Sequence, residues 1–234
     1  MTIVMHDCTH RTLFADPQRN VRIGKTLGAI TGIDFDRFSA QHWLHHRIYG
    51  QAGDPQGFHY AHLKSMTRAG LLWRLAKPLF GLNLRHTWSE SFLDLRNLTR
   101  TLRTGEALLI LSIQALIAVL VTGAGAYWSL VLLPLASTAT FGLFFSQLRG
   151  VAEHGTAAAT EAGYVRSHAP HWLDRILLYD LHFNYHVEHH RHPQYASYHL
   201  PALHRESPDA SVELPRSMFG TIASLLRARR SNHA

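Results

Sequence analysis

The chain has 234 residues, a formal net charge of +7 and 19 histidines, but only one cysteine, Cys8. A single cysteine excludes a disulfide within the chain and argues against thiolate zinc sites and iron–sulfur clusters. The basic residues are dispersed, with no aromatic platform for single-stranded nucleic acid, so the positive charge favours contact with anionic lipid headgroups.

Histidine clusters begin near the N-terminus. The segment HDCTH places His6 and His10 four residues apart, and the segment HWLHH contains His42, His45 and His46. Residues three and four apart share one face of a helix, so each segment can direct its rings toward one point. The spacing therefore predicts two helices that each present a group of imidazoles.

The next predicted element is a long apolar stretch. No charged residue lies between Glu106 and Arg149, and the stretch is about twice the length needed to cross a bilayer core once. Gly123 and Gly125 interrupt it near the middle, which predicts a hairpin of two membrane helices, roughly 107–123 and 128–148. A buried hairpin of a soluble protein is the alternative, but hydrophobicity on all sides favours the membrane.

Positive charge flanks the hairpin on one side only. Arg96, Arg100 and Arg103 precede it and Arg149 follows it, while the turn carries no charge. The positive-inside rule then places both ends in the cytosol. We expect the histidine clusters to lie on the cytosolic side.

Two more clusters follow the hairpin. His154 comes just after it, and HVEHH repeats the HxxHH motif with His186, His189 and His190. Neutral imidazole suits iron, zinc, copper or nickel. The HExxH motif of zinc peptidases and the Glu-x-x-His pairs of soluble di-iron bundles are absent from the sequence. The clusters supply enough imidazoles for two metal ions.

Four segments that contain the histidine clusters resemble those of a known family. HDCTHRTLF, HWLHH followed by DP, AEHG directly after the apolar stretch, and FNYHVEHHRHP followed by LPALH resemble the histidine boxes of the membrane-bound fatty acid desaturases. The resemblance covers about His6 to His204 and includes the order and intervals of the boxes. It predicts one desaturase-like domain over residues 1–234, an all-α fold with a transmembrane hairpin and a cytosolic, histidine-rich helical cap.

The resemblance also implies an activity. Such enzymes bind two irons, use molecular oxygen and take electrons from a separate ferredoxin or cytochrome b5 type of donor to desaturate the acyl chain of a lipid. Matching the motifs gives these nine candidate iron ligands, called the box histidines below: His6, His10, His42, His45, His46, His154, His186, His189 and His190.

Polar neighbours of the boxes are candidates for orienting the rings. A metal-bound imidazole usually donates its other N–H to a carboxylate or a carbonyl. Asp7, Glu153, Asn184 and Glu188 are close enough in sequence to do so. Ordinary solvated polar residues at helix ends are the equally weighted alternative.

Two departures from the family pattern are visible. Members usually carry a transmembrane hairpin before the first box, whereas here the first box begins at His6. Either the chain is truncated at its N-terminus or the protein has lost half of its membrane anchor. We favour truncation, and we expect this chain to hold iron poorly by itself. Gly150 stands where the acyl-CoA branch of the family has an asparagine that contacts iron through water, so that contact is in doubt.

Other functions compete with desaturation. HDxxH, GDPQGF and YHVEHH also resemble the carotenoid ketolases and hydroxylases of the same superfamily. A lipid hydroxylase is a further possibility, and a non-catalytic metal-binding membrane remnant is an alternative from a different class. Desaturation is the favoured reaction.

Overall fold

The computed structural model describes residues 2–83, 105–124, 136–155, 165–179, 181–207, 214 and 217–229. Within these ranges the regular elements are helical, in agreement with the predicted all-α class. The main helices are α1 (Thr2–His10), α2 (Pro17–Thr31), α3 (Phe35–Ile48), α4 (Arg68–Ala76), α5 (Gly105–Gly123), α6 (Leu143–His154), α7 (Trp172–Leu177), α8 (His186–Arg191), α9 (Leu200–Glu206) and α10 (Met218–Ala228).

The chain divides into two compact units. Unit 1 consists of Met1–Trp43 and Pro78–Leu143, and unit 2 consists of Leu44–Lys77 and Phe144–Ala234. One boundary falls inside α3, between Trp43 and Leu44.

Unit 1 packs α1 and α2 around the beginning of α3. Asp16 caps α2 by accepting a hydrogen bond from the Gln18 N–H at 2.8 Å, and Pro17 occupies the first turn, where a missing N–H costs nothing. Gly32 ends α2 with a φ of 76°, which glycine adopts without a Cβ clash. The Phe35 ring is buried with Met5 and Cys8, so the first turn of α3 packs directly beneath α1.

A carboxylate from α5 completes the N-terminus of α3. Glu106 accepts hydrogen bonds from the backbone N–H groups of Phe35 and Asp36, the latter at 3.3 Å. Lys25 Nζ of α2 lies 3.2 Å from the second oxygen of Glu106. These contacts satisfy two of the N–H groups that a helix start leaves without intrahelical partners.

Helix α5 is the apolar helix of unit 1. Its bounds, Gly105–Gly123, agree with the first predicted arm of the hairpin. Among the described residues it is the one helix long and apolar enough to cross a membrane. Leu116 and Val119 are 56 % and 64 % exposed, as lipid-facing side chains would be.

The second predicted arm differs in its bounds. A π-helical turn over Thr138–Gly142 leads into α6, which continues past residue 148 to His154. Beyond the apolar stretch, Arg149 and Glu153 form an i, i+4 ion pair at 2.9 Å, a contact that adds to the stability of this last part of the helix. The turn of the predicted hairpin, residues 125–135, and Arg96, Arg100 and Arg103 lie outside the described residues. The hairpin and its orientation therefore stay predictions.

Unit 2 packs α6 against the segment that follows α3. Gln147 of α6 donates a hydrogen bond to the carbonyl of His59 at 2.7 Å. A Cβ placed at Gly150 would lie 2.6 Å from the Cβ of His59, so the helix approaches this segment at a position where only glycine fits. Helix α10 packs in the same unit, and Asp174 accepts a hydrogen bond from its first residue, Met218, at 2.7 Å.

Candidate metal centre

Unit 1 brings three box histidines together. His6 and His10 lie on α1, and His42 lies on α3, so both predicted helical segments are confirmed as helices. The ring centroids of His6 lie 4.7 Å from His10 and 4.4 Å from His42, and the Nε2 atoms of His10 and His42 are 2.9 Å apart. All three side chains are buried.

Unit 2 brings four more together from three helices. His45 of α3, His154 of α6, and His186 and His190 of α8 have neighbouring rings, with centroid separations from 4.6 to 5.3 Å. The Nε2 atom of His186 is 3.0 Å from that of His154 and 3.2 Å from that of His190. We call these four residues the unit 2 cluster.

The last two box histidines form a pair within unit 2. The Nε2 atoms of His46 and His189 are 3.0 Å apart, and the ring of His46 stacks on that of His190 with centroids 4.4 Å apart. Thus each box histidine has at least one other within contact distance inside its own unit.

The separations between these nitrogens fit metal coordination. With metal–nitrogen bonds of about 2.1 Å, two ligands at right angles lie about 3 Å apart and two tetrahedral ligands about 3.4 Å apart. The Nε2–Nε2 distances in the structure, 2.9 to 3.2 Å, lie close to that range. Without a metal ion between them, two buried imidazole nitrogens this close must share a proton in a hydrogen bond. The donor set, nitrogen with nearby carboxylates, is one that iron accepts.

Burial keeps key rings of the unit 2 cluster in the form that binds metal. The pKa of His186 lies well below its usual value because the ring is buried and because His154 and Arg149 add positive charge nearby. Burial and the charge of His186 lower the pKa of His190 in the same way. Neutral imidazole has a lone pair for a metal ion, whereas the protonated ring has none.

Asp54 orients one ring of the unit 2 cluster, and sequence reasoning had missed it. His45 Nδ1 lies 2.9 Å and 3.1 Å from the two carboxylate oxygens of Asp54. Burial acts to raise the pKa of Asp54, but hydrogen bonds from His45, Tyr60 and the Gln56 N–H outweigh it and lower the pKa. An ionised Asp54 favours the proton on Nδ1, so Nε2 is the candidate metal-binding atom of His45. The DP pair after the second box was the signal available in the sequence.

Two of the four predicted orienting residues lie against box histidines. Asp7 Oδ1 is 3.4 Å from His6 Nδ1. Glu153 accepts hydrogen bonds from Arg149 with one oxygen, and its other oxygen is 3.7 Å from His186 Nε2.

The structure places the other two on different partners. Asn184 donates a hydrogen bond to the carbonyl of His168 at 2.7 Å. Glu188 pairs with His204 Nδ1 at 2.5 Å and accepts a hydrogen bond from Ser167 at 2.5 Å. Since Glu188 lies inside the HVEHH box, its contact with His204 ties α8 to α9, and its contact with Ser167 ties α8 to the segment before it.

The comparisons with known proteins agree with the motifs. The chain matches the family model described as Fatty acid desaturase over residues 1–221. No curated protein and no solved structure matches the chain.

Proposed function

Since the chain belongs to the fatty acid desaturase family, we propose that it is a membrane-bound di-iron oxidoreductase that uses molecular oxygen to introduce a double bond into the acyl chain of a lipid. The observation that carries this proposal is the clustering of the box histidines within each unit, with Nε2–Nε2 distances of 2.9 to 3.2 Å.

The proposed iron ligands are the nine box histidines. Bound iron would supply the oxygen chemistry that removes two hydrogen atoms from neighbouring carbons. The protein's own part is to hold neutral imidazoles in place and to keep the rings away from bulk water. His45, His154 and His186 are no more than 4 % exposed, and Tyr60 stacks on the His154 ring with centroids 5.0 Å apart.

The location we propose is a membrane, crossed more than once, with the box histidines on its cytosolic side. Helix α5 supports membrane insertion by its length and hydrophobicity, and the arginines that flank the apolar stretch support the orientation. The proposed partners are a lipid acyl substrate and a separate electron donor of the ferredoxin or cytochrome b5 type.

The electron balance of the reaction defines the test. One oxygen molecule becomes two waters by taking two electrons from the donor, two protons from the solvent, and two hydrogen atoms from the C–H bonds that are lost. The chain and its His45→Ala variant are expressed in a host that supplies lipids and carotenoids. Because we expect the chain to hold iron poorly by itself, Fe(II) is supplied throughout purification. We then expect bound iron, oxygen uptake that requires reductant, and new acyl double bonds by mass spectrometry, all reduced in the variant.

Each other product contradicts the proposal in a recognisable way. Oxygenated carotenoid rings would indicate a ketolase or hydroxylase, and hydroxylated acyl chains would indicate a lipid hydroxylase. Bound metal without reductant-dependent oxygen uptake would indicate a non-catalytic metal-binding protein.

A further inference from the structure

We propose that Glu153 is itself a metal ligand, the oxygen donor that binds one ion together with His154 and His186 of the unit 2 cluster. This inference rests on the proposed function and adds a tenth ligand to the nine box histidines. It changes the role of Glu153 from orienting a ring to binding the metal.

The distances place the carboxylate among the ligand atoms. Glu153 Oε2 is 3.7 Å from His186 Nε2, which in turn is 3.0 Å from His154 Nε2. The ligand atoms of Glu153, His154 and His186 all lie within 4.8 Å of one another. Two ligands bound to one ion at about 2.1 Å lie between about 3 and 4.2 Å apart, depending on their angle. The separation between Glu153 and His186 falls inside that interval.

Arg149 holds the carboxylate in the required orientation. Its Nε and Nη2 atoms donate to the same oxygen, Glu153 Oε1, at 3.0 and 2.9 Å. The guanidinium also lies over the Phe183 ring, 4.7 Å from its centroid, so it is held from two sides. With Oε1 fixed by Arg149, Oε2 is the oxygen that lies near His186 Nε2.

Helix α6 offers no other oxygen donor at this position. One turn earlier, at Gly150, any side chain would meet the Cβ and Cγ atoms of His59 at 2.6 and 2.8 Å. Val151 and Ala152 are apolar and fully buried. Glu153, 4 % exposed, is the polar side chain that α6 presents beside His154.

The other carboxylate near this cluster within α8 is engaged differently. Glu188 pairs through Oε1 with His204 and through Oε2 with Ser167, both at 2.5 Å. Both of its oxygens thus serve protein contacts that tie α8 to its surroundings. The Glu153 carboxylate, by contrast, has one oxygen fixed by Arg149 and the other 3.7 Å from His186 Nε2.

The test measures metal binding directly. The full chain in detergent is freed of metal and titrated anaerobically with Fe(II), and in parallel with Co(II), whose visible spectrum reports the ligands. The variants are Glu153→Ala, the isosteric Glu153→Gln, and Glu206→Gln as an exposed carboxylate control. For Glu153→Ala we expect one of the two ions to bind more weakly and the Co(II) spectrum to change. The loss of affinity should be at least roughly 10- to 100-fold, the loss that follows removal of a residue that only orients a ligand.

Glu153→Gln keeps the side-chain volume and an amide oxygen, so it distinguishes a lost ligand from a collapsed site. We expect a smaller loss of affinity and again an altered Co(II) spectrum, while Glu206→Gln behaves as wild type. Wild-type affinity and spectrum in both Glu153 variants would overturn the inference alone. Weaker binding with an unchanged spectrum would also overturn it, because Glu153 would then act only through Arg149. A wild-type chain that binds neither metal would overturn the proposed function as well.

Discussion

At the scale of single residues, the structure separates side chains that can touch a metal from those that orient them. Asp54 belongs to the second group, because it lies against the Nδ1 side of His45 and leaves Nε2 facing the unit 2 cluster. Tyr60 donates a hydrogen bond to the same carboxylate and stacks on His154. One aspartate and one tyrosine thus connect two ring positions of the cluster.

Replacing Asp54 with asparagine should weaken metal binding without removing a ligand. The amide cannot fix the Nδ1–H tautomer of His45 as a carboxylate does, so part of the population would present the wrong nitrogen. We expect Asp54→Asn to lower the affinity of one ion about 10- to 100-fold, measured by anaerobic Fe(II) titration, with the Co(II) spectrum unchanged. Asp16→Asn, an exposed helix cap, is the matched control. Equal affinities in the two variants would contradict the assigned role.

The ring positions were predictable and their supports were not. Helical spacing correctly placed His42, His45 and His46 on one helix, but it did not predict the partners of their rings. The ring of His42 contacts those of His6 and His10, whereas the ring of His45 contacts those of His154 and His190. Asp54 lies nine residues beyond His45 across a loop, so no helical period connects the two. Glu106 caps α3 from 71 residues away in sequence, a contact that only the tertiary fold creates.

At the scale of elements, close approach of backbones positions the box helices. Helix α2 ends beside the start of α3, where the Ile33 N–H donates to the Gly28 carbonyl at 2.7 Å. Gly28 is buried, and its missing side chain leaves room for the chain to reverse. This chain reversal between α2 and α3 positions Phe35 in the core beneath α1.

Adding one methyl group at this turn should destabilise unit 1. A Cβ at Gly28 would lie 2.6 Å from the Ile33 carbonyl oxygen, a backbone atom that cannot rotate away. Overpacking of this kind costs about 1–3 kcal/mol, more than the gain of up to about 1 kcal/mol from helix propensity. We expect Gly28→Ala to lower the melting temperature in detergent.

Gly123→Ala is the matched control, because no atom lies within 4 Å of a Cβ at that position. It also lies at the end of a helix. A Gly28→Ala chain that melts at or above the temperature of Gly123→Ala would show that the turn is not tightly packed.

At the scale of the whole molecule, the sequence conveyed the class of protein better than the bounds of its elements. The family match covers residues 1–221. The apolar stretch predicted α5 correctly because the signal for a long apolar helix is the combined hydrophobicity of many residues, so no single residue decides it. The far end of α6 was missed because the predicted helix ended with the apolar stretch, whereas the helix continues through the charged residues Arg149 and Glu153 to His154.

The stability of the fold should depend on pH through a histidine outside the boxes. His168 is fully buried, and its Nε2 lies 3.1 Å from the Thr221 hydroxyl of α10. Its backbone N–H and carbonyl both bond to Asn184, at 2.9 and 2.7 Å. Burial, assisted by the charge of Arg166, lowers the pKa of His168 from 6.5 to about 3. The folded chain therefore keeps this ring neutral where the unfolded chain protonates it.

The sign of the effect follows from that difference. The unfolded state binds the extra proton below its pKa of 6.5, so the contribution of His168 to stability is complete above that pH and declines as the pH falls toward about 3. Between about pH 7 and about pH 5 the wild-type chain should lose about 2 kcal/mol through this group. His168→Gln should lack this part of the loss, whatever its stability at neutral pH, and His199→Gln, at an exposed position, should keep it. Melting temperatures across that pH range measure the slopes, and parallel slopes for wild type and His168→Gln would contradict the assignment.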